Sequence, residues 1–117
     1  MAKKILIIDD DPIVVKYLKT LFNDNGYETV TASDGTEAED IVKRIKPDLI
    51  TLDLEMPKQW GPRFYRKMVK NEDRKDIPII VISGISDPKH AIKDAVAVIR
   101  KPFDEDKLLG IVKRTIG

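Results

Sequence analysis

The feature that most constrains this chain is an alternation of two kinds of segment. Short unbroken apolar runs occur at residues 5–8 (Ile-Leu-Ile-Ile), 49–52 (Leu-Ile-Thr-Leu) and 79–82 (Ile-Ile-Val-Ile), with weaker ones at 29–32 and 95–99. Runs this short, rich in Ile and Val and without polar alternation, suit strands covered on both faces, as in a parallel sheet. Longer segments with helical spacing lie between them. Ile13, Tyr17, Leu18, Leu21 and Phe22 form one apolar stripe at helical spacing, with Pro12 fit for the first turn and Asn25-Gly26 for the end. Asp34 with Glu37 resembles a capping box that opens a second helix, reaching Ile45 before Pro47. A third helix is expected over about 62–71, a short fourth at 88–94, and a last one capped by Asp104 with Leu108, Leu109, Val112 and Ile116 inward. The order βαβαβαβαβα predicts an α/β fold in which helices cover both faces of a parallel sheet.

With 117 residues and no linker, repeat or low-complexity tract, the chain is expected to form a single domain over 1–117. Its 21 basic and 20 acidic residues leave a net charge of +1, which gives no general reason to expect nucleic acid or an acidic membrane as partner. The absence of cysteine excludes disulfides and thiolate metal sites, and fits a reducing compartment. Lys3-Lys4 and the apolar run after them briefly resemble the start of a signal peptide. Three aspartates then end the run well short of a membrane span, so a soluble cytoplasmic protein is expected.

In an open α/β sheet, ligands bind beyond the carboxyl ends of the strands. There the first strand is followed by Asp9 and Asp10, the third carries Asp53 near its end, the fourth ends at Ser83-Gly84, and the fifth runs into Lys101-Pro102. Three carboxylates in one place repel each other and call for a counter-charge. A hard divalent cation with oxygen ligands, Mg2+ above all, meets that need. Zinc does not fit a chain with no Cys and a single His, His90, away from this edge. Nucleophilic attack by an aspartate on phosphorus suits the set, with Lys101 and the Ser83 hydroxyl helping to neutralise the phosphoryl oxygens. Each residue alone has an ordinary explanation: Asp9, Asp10 and Asp11 as a loop and helix cap, Ser83 as a turn residue, Lys101 as a surface lysine. Asp53 is harder to explain so, because a charge in a buried strand is costly without a partner.

In order and at these spacings, several stretches match a known family: 5–12 (Ile-Leu-Ile-Ile-Asp-Asp-Asp-Pro), Asp34-Gly35, 47–53 (Pro-Asp-Leu-Ile-Thr-Leu-Asp), Met56-Pro57 with Gly61, 78–84 (Pro-Ile-Ile-Val-Ile-Ser-Gly) and Lys101-Pro102-Phe103. Over essentially its whole length the sequence resembles the CheY-like receiver domain of two-component response regulators. The resemblance implies a doubly wound five-stranded sheet of order 2-1-3-4-5. It implies Asp53 as phosphoacceptor, and Mg2+ (or Mn2+) bound by Asp9, Asp10, Asp53 and the Glu55 backbone carbonyl. It further implies Ser83 as the switch hydroxyl, Lys101 as the partner lysine and a cis Lys101-Pro102 bond. A sensor histidine kinase or histidine phosphotransfer protein would be the phosphodonor, and a protein-interaction surface the output.

Three departures bear on that output. Val98 stands where the family often has an aromatic switch residue. Only 17 residues separate Ser83 from Lys101, about four fewer than usual, which shortens the fourth helix by roughly one turn. Trp60-Gly61 replaces the usual Asp-Gly. The departures keep open a degenerate receiver acting as a phosphate-independent scaffold. A phosphatase-like hydrolase, with Glu55 as second acid, is a third and weaker reading.

Overall fold

A computed structural model describes residues 2–55, 60–84 and 95–117, with residues 60–62 described by their backbone alone. The elements run β1 (Lys4–Ile8), α1 (Pro12–Asp24), β2 (Glu28–Ala32), α2 (Gly35–Arg44), β3 (Leu49–Leu52), α3 (Trp60–Lys70), β4 (Ile79–Ser83), β5 (Ala97–Arg100) and α4 (Glu105–Ile116). All strands are parallel in the order β2-β1-β3-β4-β5, with Ile7 beside Thr51 and Thr51 beside Ile80 in the central register. This is the doubly wound topology expected, and its order reverses between β1 and β3.

Side chains on successive strand positions point to opposite faces, so each strand feeds two cores. Leu6, Ile8, Ile50, Leu52, Ile79 and Val81 pack with α2 and α3, against Ile41, Val42, Phe64 and Met68. Ile5, Ile7, Leu49, Ile80 and Ile82 pack with α1 and α4, against Leu18, Phe22, Leu108, Ile111 and Val112. Thr51 belongs to this second face, and its hydroxyl is buried with no hydrogen-bond partner among the described residues.

The helix starts follow the sequence closely. Asp11 caps α1 by accepting from the Ile13 amide at 2.9 Å, and Pro12 occupies the first turn. Gly26, at φ +90°, closes that helix in the left-handed region. Asp34 accepts from the Glu37 amide at 2.7 Å, while the Glu37 carboxylate reaches back to the Ser33 amide at 2.9 Å, one residue earlier than a capping box requires. Asp104 caps α4, accepting from the amides of Asp106 and Lys107.

Three expectations are corrected. Ile13 and Tyr17 do not join Leu18, Leu21 and Phe22 on the inner stripe of α1: they are 78% and 46% exposed, and Val14 and Val15 pack inward instead. Residues one apart subtend 100° on a helix, so a stripe drawn through five positions spans more arc than the sheet can cover. Helix α3 begins at Trp60 rather than 62, because a proline is tolerated in a first turn, where its missing amide has no helical acceptor. Strand β5 starts at Ala97, two residues late. The short helix expected at 88–94, and His90 within it, lie outside the described residues. No helix among the described residues is long and apolar enough to cross a membrane.

Candidate functional site

Parallel strands that end at one edge bring their following residues together. Backbone bonds fix the alignment: the Asp53 amide donates to Ile8 O at 3.0 Å, the Asp9 amide to Ala32 O at 3.1 Å, and the Lys101 amide to Ser83 O at 3.0 Å. Asp9 and Asp10 thereby sit beside Asp53, and Ser83 beside Lys101. Ligand oxygens of Asp9, Asp10 and Asp53 lie within 4.8 Å of one another. Asp9 and Asp53 are buried, at 2% and 3% exposure, while Asp10 faces solvent. Ser83 is buried at the end of β4.

The two buried acids are held differently. Asp9 has both oxygens engaged: Oδ1 accepts from the Asp11 amide at 2.9 Å and Oδ2 from the Lys101 ammonium at 2.9 Å. For Asp53 the contacts among the described residues fall on one oxygen. Oδ1 accepts from the Glu55 amide at 3.0 Å and lies 3.7 Å from Lys101 Nζ. The other oxygen, Oδ2, is the one with coordination to offer.

Burial dominates the electrostatics of Asp53 and pushes its pKa from 3.8 up to about 6. The Glu55 amide works against this by stabilising the carboxylate, the charge of Asp9 works with it, and Lys101 opposes it. Burial alone would lower the pKa of Lys101. The hydrogen bond to Asp9, with the charges of Asp53, Asp9 and Glu55, reverses that and holds the ammonium above its ordinary value. Lys101 is thus a permanent cation bridging two acids, and its bond to Pro102 is cis.

A cluster of three carboxylates with two members buried is the donor set of a hard divalent cation. The oxygens of Asp9, Asp10 and Asp53 are compatible with Mg2+ or Mn2+, and a cation there would offset the repulsion that raises Asp53.

Asp11, the third of the N-terminal aspartates, proves to be a helix cap and no part of the cluster. Two features escaped the sequence. The Glu55 side chain lies over Gly84, where an added Cβ would come within 3.0 Å of its Oε2. The visible signal was the glycine following Ser83, which leaves that space open. The unpartnered hydroxyl of Thr51 was signalled only by a polar residue in an otherwise apolar run. Val98 lies in β5 beside Val81, partly buried against the α2–α3 core.

Comparison with known proteins agrees with this geometry. The sequence profile of the family described as "Response regulator receiver domain" matches residues 5–113. Protein Rrf1 of Nitratidesulfovibrio vulgaris is 34% identical over 117 residues, covering 100% of this chain and 85% of that one. Sporulation initiation phosphotransferase F of Bacillus subtilis is 34% identical over 116 residues, covering 97% and 94%. Among solved structures, the signal receiver domain of a signal transduction histidine kinase from Syntrophus aciditrophicus superposes with a TM-score of 0.89 at 32% identity, covering 98% and 90%. With its sheet order, its buried aspartates and this profile match over nearly its full length, the chain belongs to the CheY-like response-regulator receiver domains of two-component systems.

Proposed function

We infer that this domain takes a phosphoryl group from a phosphohistidine onto Asp53, with Mg2+ or Mn2+ held by Asp9, Asp10, Asp53 and the Glu55 backbone carbonyl. The donor is a sensor histidine kinase or a histidine phosphotransfer protein. Likeness to the receiver domain of a histidine kinase and to a sporulation phosphotransferase supports a donor of that general kind. The reading rests above all on the contrast between the two buried acids. Asp9 is tied at both oxygens, whereas the described contacts of Asp53 fall on Oδ1.

In the reaction, Asp53 Oδ2 forms a bond to phosphorus as the phosphorus–nitrogen bond to the donor histidine breaks, giving an acyl phosphate and a free imidazole. Phosphoryl transfer needs positioning and neutralisation more than covalent help. Lys101, held between Asp9 and Asp53, is placed to pair with a phosphoryl oxygen, and the Ser83 hydroxyl is the switch group that turns toward it. The added charge then biases the β4 end and the surface beyond it.

A second reading, a phosphate-independent scaffold, draws on Val98, which has no ring to swing between two positions. Intact mass after incubation with Mg2+ and acetyl phosphate separates the two. One phosphoryl gain, dependent on Mg2+ and absent in Asp53→Asn, establishes the acceptor. A folded protein that gains nothing from acetyl phosphate or from a phosphohistidine donor is a scaffold.

A further inference from the structure

Tyr17 faces outward from α1 at 46% exposure, yet it is held at both ends. Its ring meets that of Phe103 edge-on, with centroids 5.6 Å apart and planes at 70°. Its hydroxyl donates to the carboxylate of Glu105, the first residue of α4. That bond, above all, raises the pKa of Tyr17 above the ordinary phenol value, so the hydroxyl keeps its proton and stays a donor at neutral pH.

The segment held in this way is the one that carries Lys101. Between the end of β5 and the start of α4, every second residue reaches toward α1 or the turn before it. Lys101 pairs with Asp9 at 2.9 Å, Phe103 meets the Tyr17 ring, and Glu105 accepts from the Tyr17 hydroxyl. Asp9 is itself tied to the head of α1 through the Asp11 amide at 2.9 Å. Residues 11 to 17 span about 9 Å of helix axis, so one rigid rod grips both ends of the 101–105 segment. The space between the grips is a hollow of about 320 Å3, lined by Ile13, Val14, Tyr17, Lys101, Pro102 and Phe103. Close packing is what ordinarily fixes a side chain, and a hollow gives no packed neighbours on its side. Phe103 also packs on the α1–α4 core, but across the hollow it is Tyr17 that joins α1 to this segment.

We propose that Tyr17 is a positioning residue for phosphoryl transfer: by bracing Phe103 and Glu105 against α1, it holds Lys101 where the reaction uses it. The proposal rests on the reading of Asp53 as acceptor and of Lys101 as the cation that meets a phosphoryl oxygen. Lys101 Nζ lies 2.9 Å from Asp9 Oδ2 and 3.7 Å from Asp53 Oδ1, a balance that a small shift of its loop would upset. A misplacement of about 1 Å can cost up to about a hundredfold in rate.

The test uses the full chain with saturating Mg2+ and acetyl phosphate, a donor too small to need a docking surface, and follows the rate of phosphoryl gain by intact mass. Tyr17→Ala should slow phosphorylation about tenfold. Glu105→Ala should slow it about threefold, and Glu105→Gln, which keeps an acceptor oxygen, should restore most of that loss. In a Lys101→Met background Tyr17→Ala should slow the reaction no further, because its effect passes through the lysine. In the unphosphorylated protein the Lys101 side-chain methylene NMR signals should move in Glu105→Ala, which leaves both rings in place, and return in Glu105→Gln. If Tyr17→Ala does not fold, Glu105→Ala, a change at an exposed residue, carries the same comparisons. Wild-type rates in both variants would overturn the proposal, as would a loss that persists in full in the Lys101→Met background. A wild type that gains no phosphoryl group sinks the reading of Asp53 by itself. The Lys101 signals then decide, and unmoved signals in Glu105→Ala overturn the positioning role.

Discussion

Replacing Asp53 by Asn should make the metal-free protein more stable at neutral pH, although it removes a charge contact with Lys101. Burial outweighs every favourable contact of this carboxylate and raises its pKa from 3.8 to about 6. At 1.36 kcal/mol per pH unit that is an upper bound of about 3 kcal/mol, lowered further by the open edge of the site. The sign follows from proton counting. Between the unfolded and folded pKa values the native state binds more protons than the unfolded one, so this group's contribution falls as pH rises from about 4 to about 6. The penalty is absent below that window and complete above it. Urea denaturation of wild type and Asp53→Asn in EDTA, from pH 4 to 8, should therefore show nearly equal stabilities at pH 4 and an advantage of up to about 3 kcal/mol for Asn at pH 8. Asn keeps an Oδ1 to accept from the Glu55 amide, so that bond is not what is being measured. Added Mg2+ should stabilise the wild type and close most of the gap, since a ligand of the native state adds its binding free energy to stability. An Asn variant less stable than wild type at pH 8 in EDTA would refute the balance, and would mean that Lys101 and the amide outweigh burial.

Three further perturbations probe other parts of the argument. Lys101→Met removes the cation that holds Asp53 down and Asp9 in place, so the pKa of Asp53, followed by carboxyl NMR in EDTA, should rise further above about 6. Thr51→Val replaces a buried hydroxyl that has no partner, and should be neutral or stabilising by up to about 1 kcal/mol in urea, where loss of a satisfied hydroxyl would cost stability. Asp104→Ala removes the acceptor for the amides of Asp106 and Lys107 at the start of α4, and should cost about 1 kcal/mol in the same assay, with Asn restoring most of it.

The three central strands, β1, β3 and β4, were legible because a parallel sheet covered on both faces demands continuous apolar runs, whereas the edge strands β2 and β5 are only partly buried and carried weaker ones. The edge carrying the site followed from strand direction alone, since every strand had to end on the same side. What failed to show was how much of a helix the sheet can cover. Ile13 and Tyr17 are apolar, fall at helical spacing and still face outward, Tyr17 making a hydrogen bond to Glu105 and an edge contact with Phe103. Periodicity reports which residues share a face, and leaves the width of the contact to the partner element. The start of α3 was lost for a different reason: Pro62 reads as a boundary, yet the first helical turn has no amide bonds to lose, so the helix extends upstream of it.

Asp9 and Asp53 look equivalent in the sequence, each an acid after a buried strand, and local rules cannot rank them as nucleophile. Geometry can. A carboxylate whose two oxygens each already accept a hydrogen bond has fewer lone pairs to offer an incoming phosphorus, and Asp9 accepts from the Asp11 amide on one oxygen and from Lys101 on the other. The Asp11 amide is available for this because the chain turns into α1 at Pro12 immediately afterwards, so the start of the helix also fixes the Asp9 carboxylate. Asp53 is held differently: among the described residues its contacts, with the Glu55 amide and with Lys101, both fall on Oδ1. Its raised pKa comes chiefly from burial, which the Glu55 amide and Lys101 offset only in part. That Asp53 has fewer contacts than Asp9 among the described residues is what supports the proposal that Asp53, rather than Asp9, accepts the phosphoryl group.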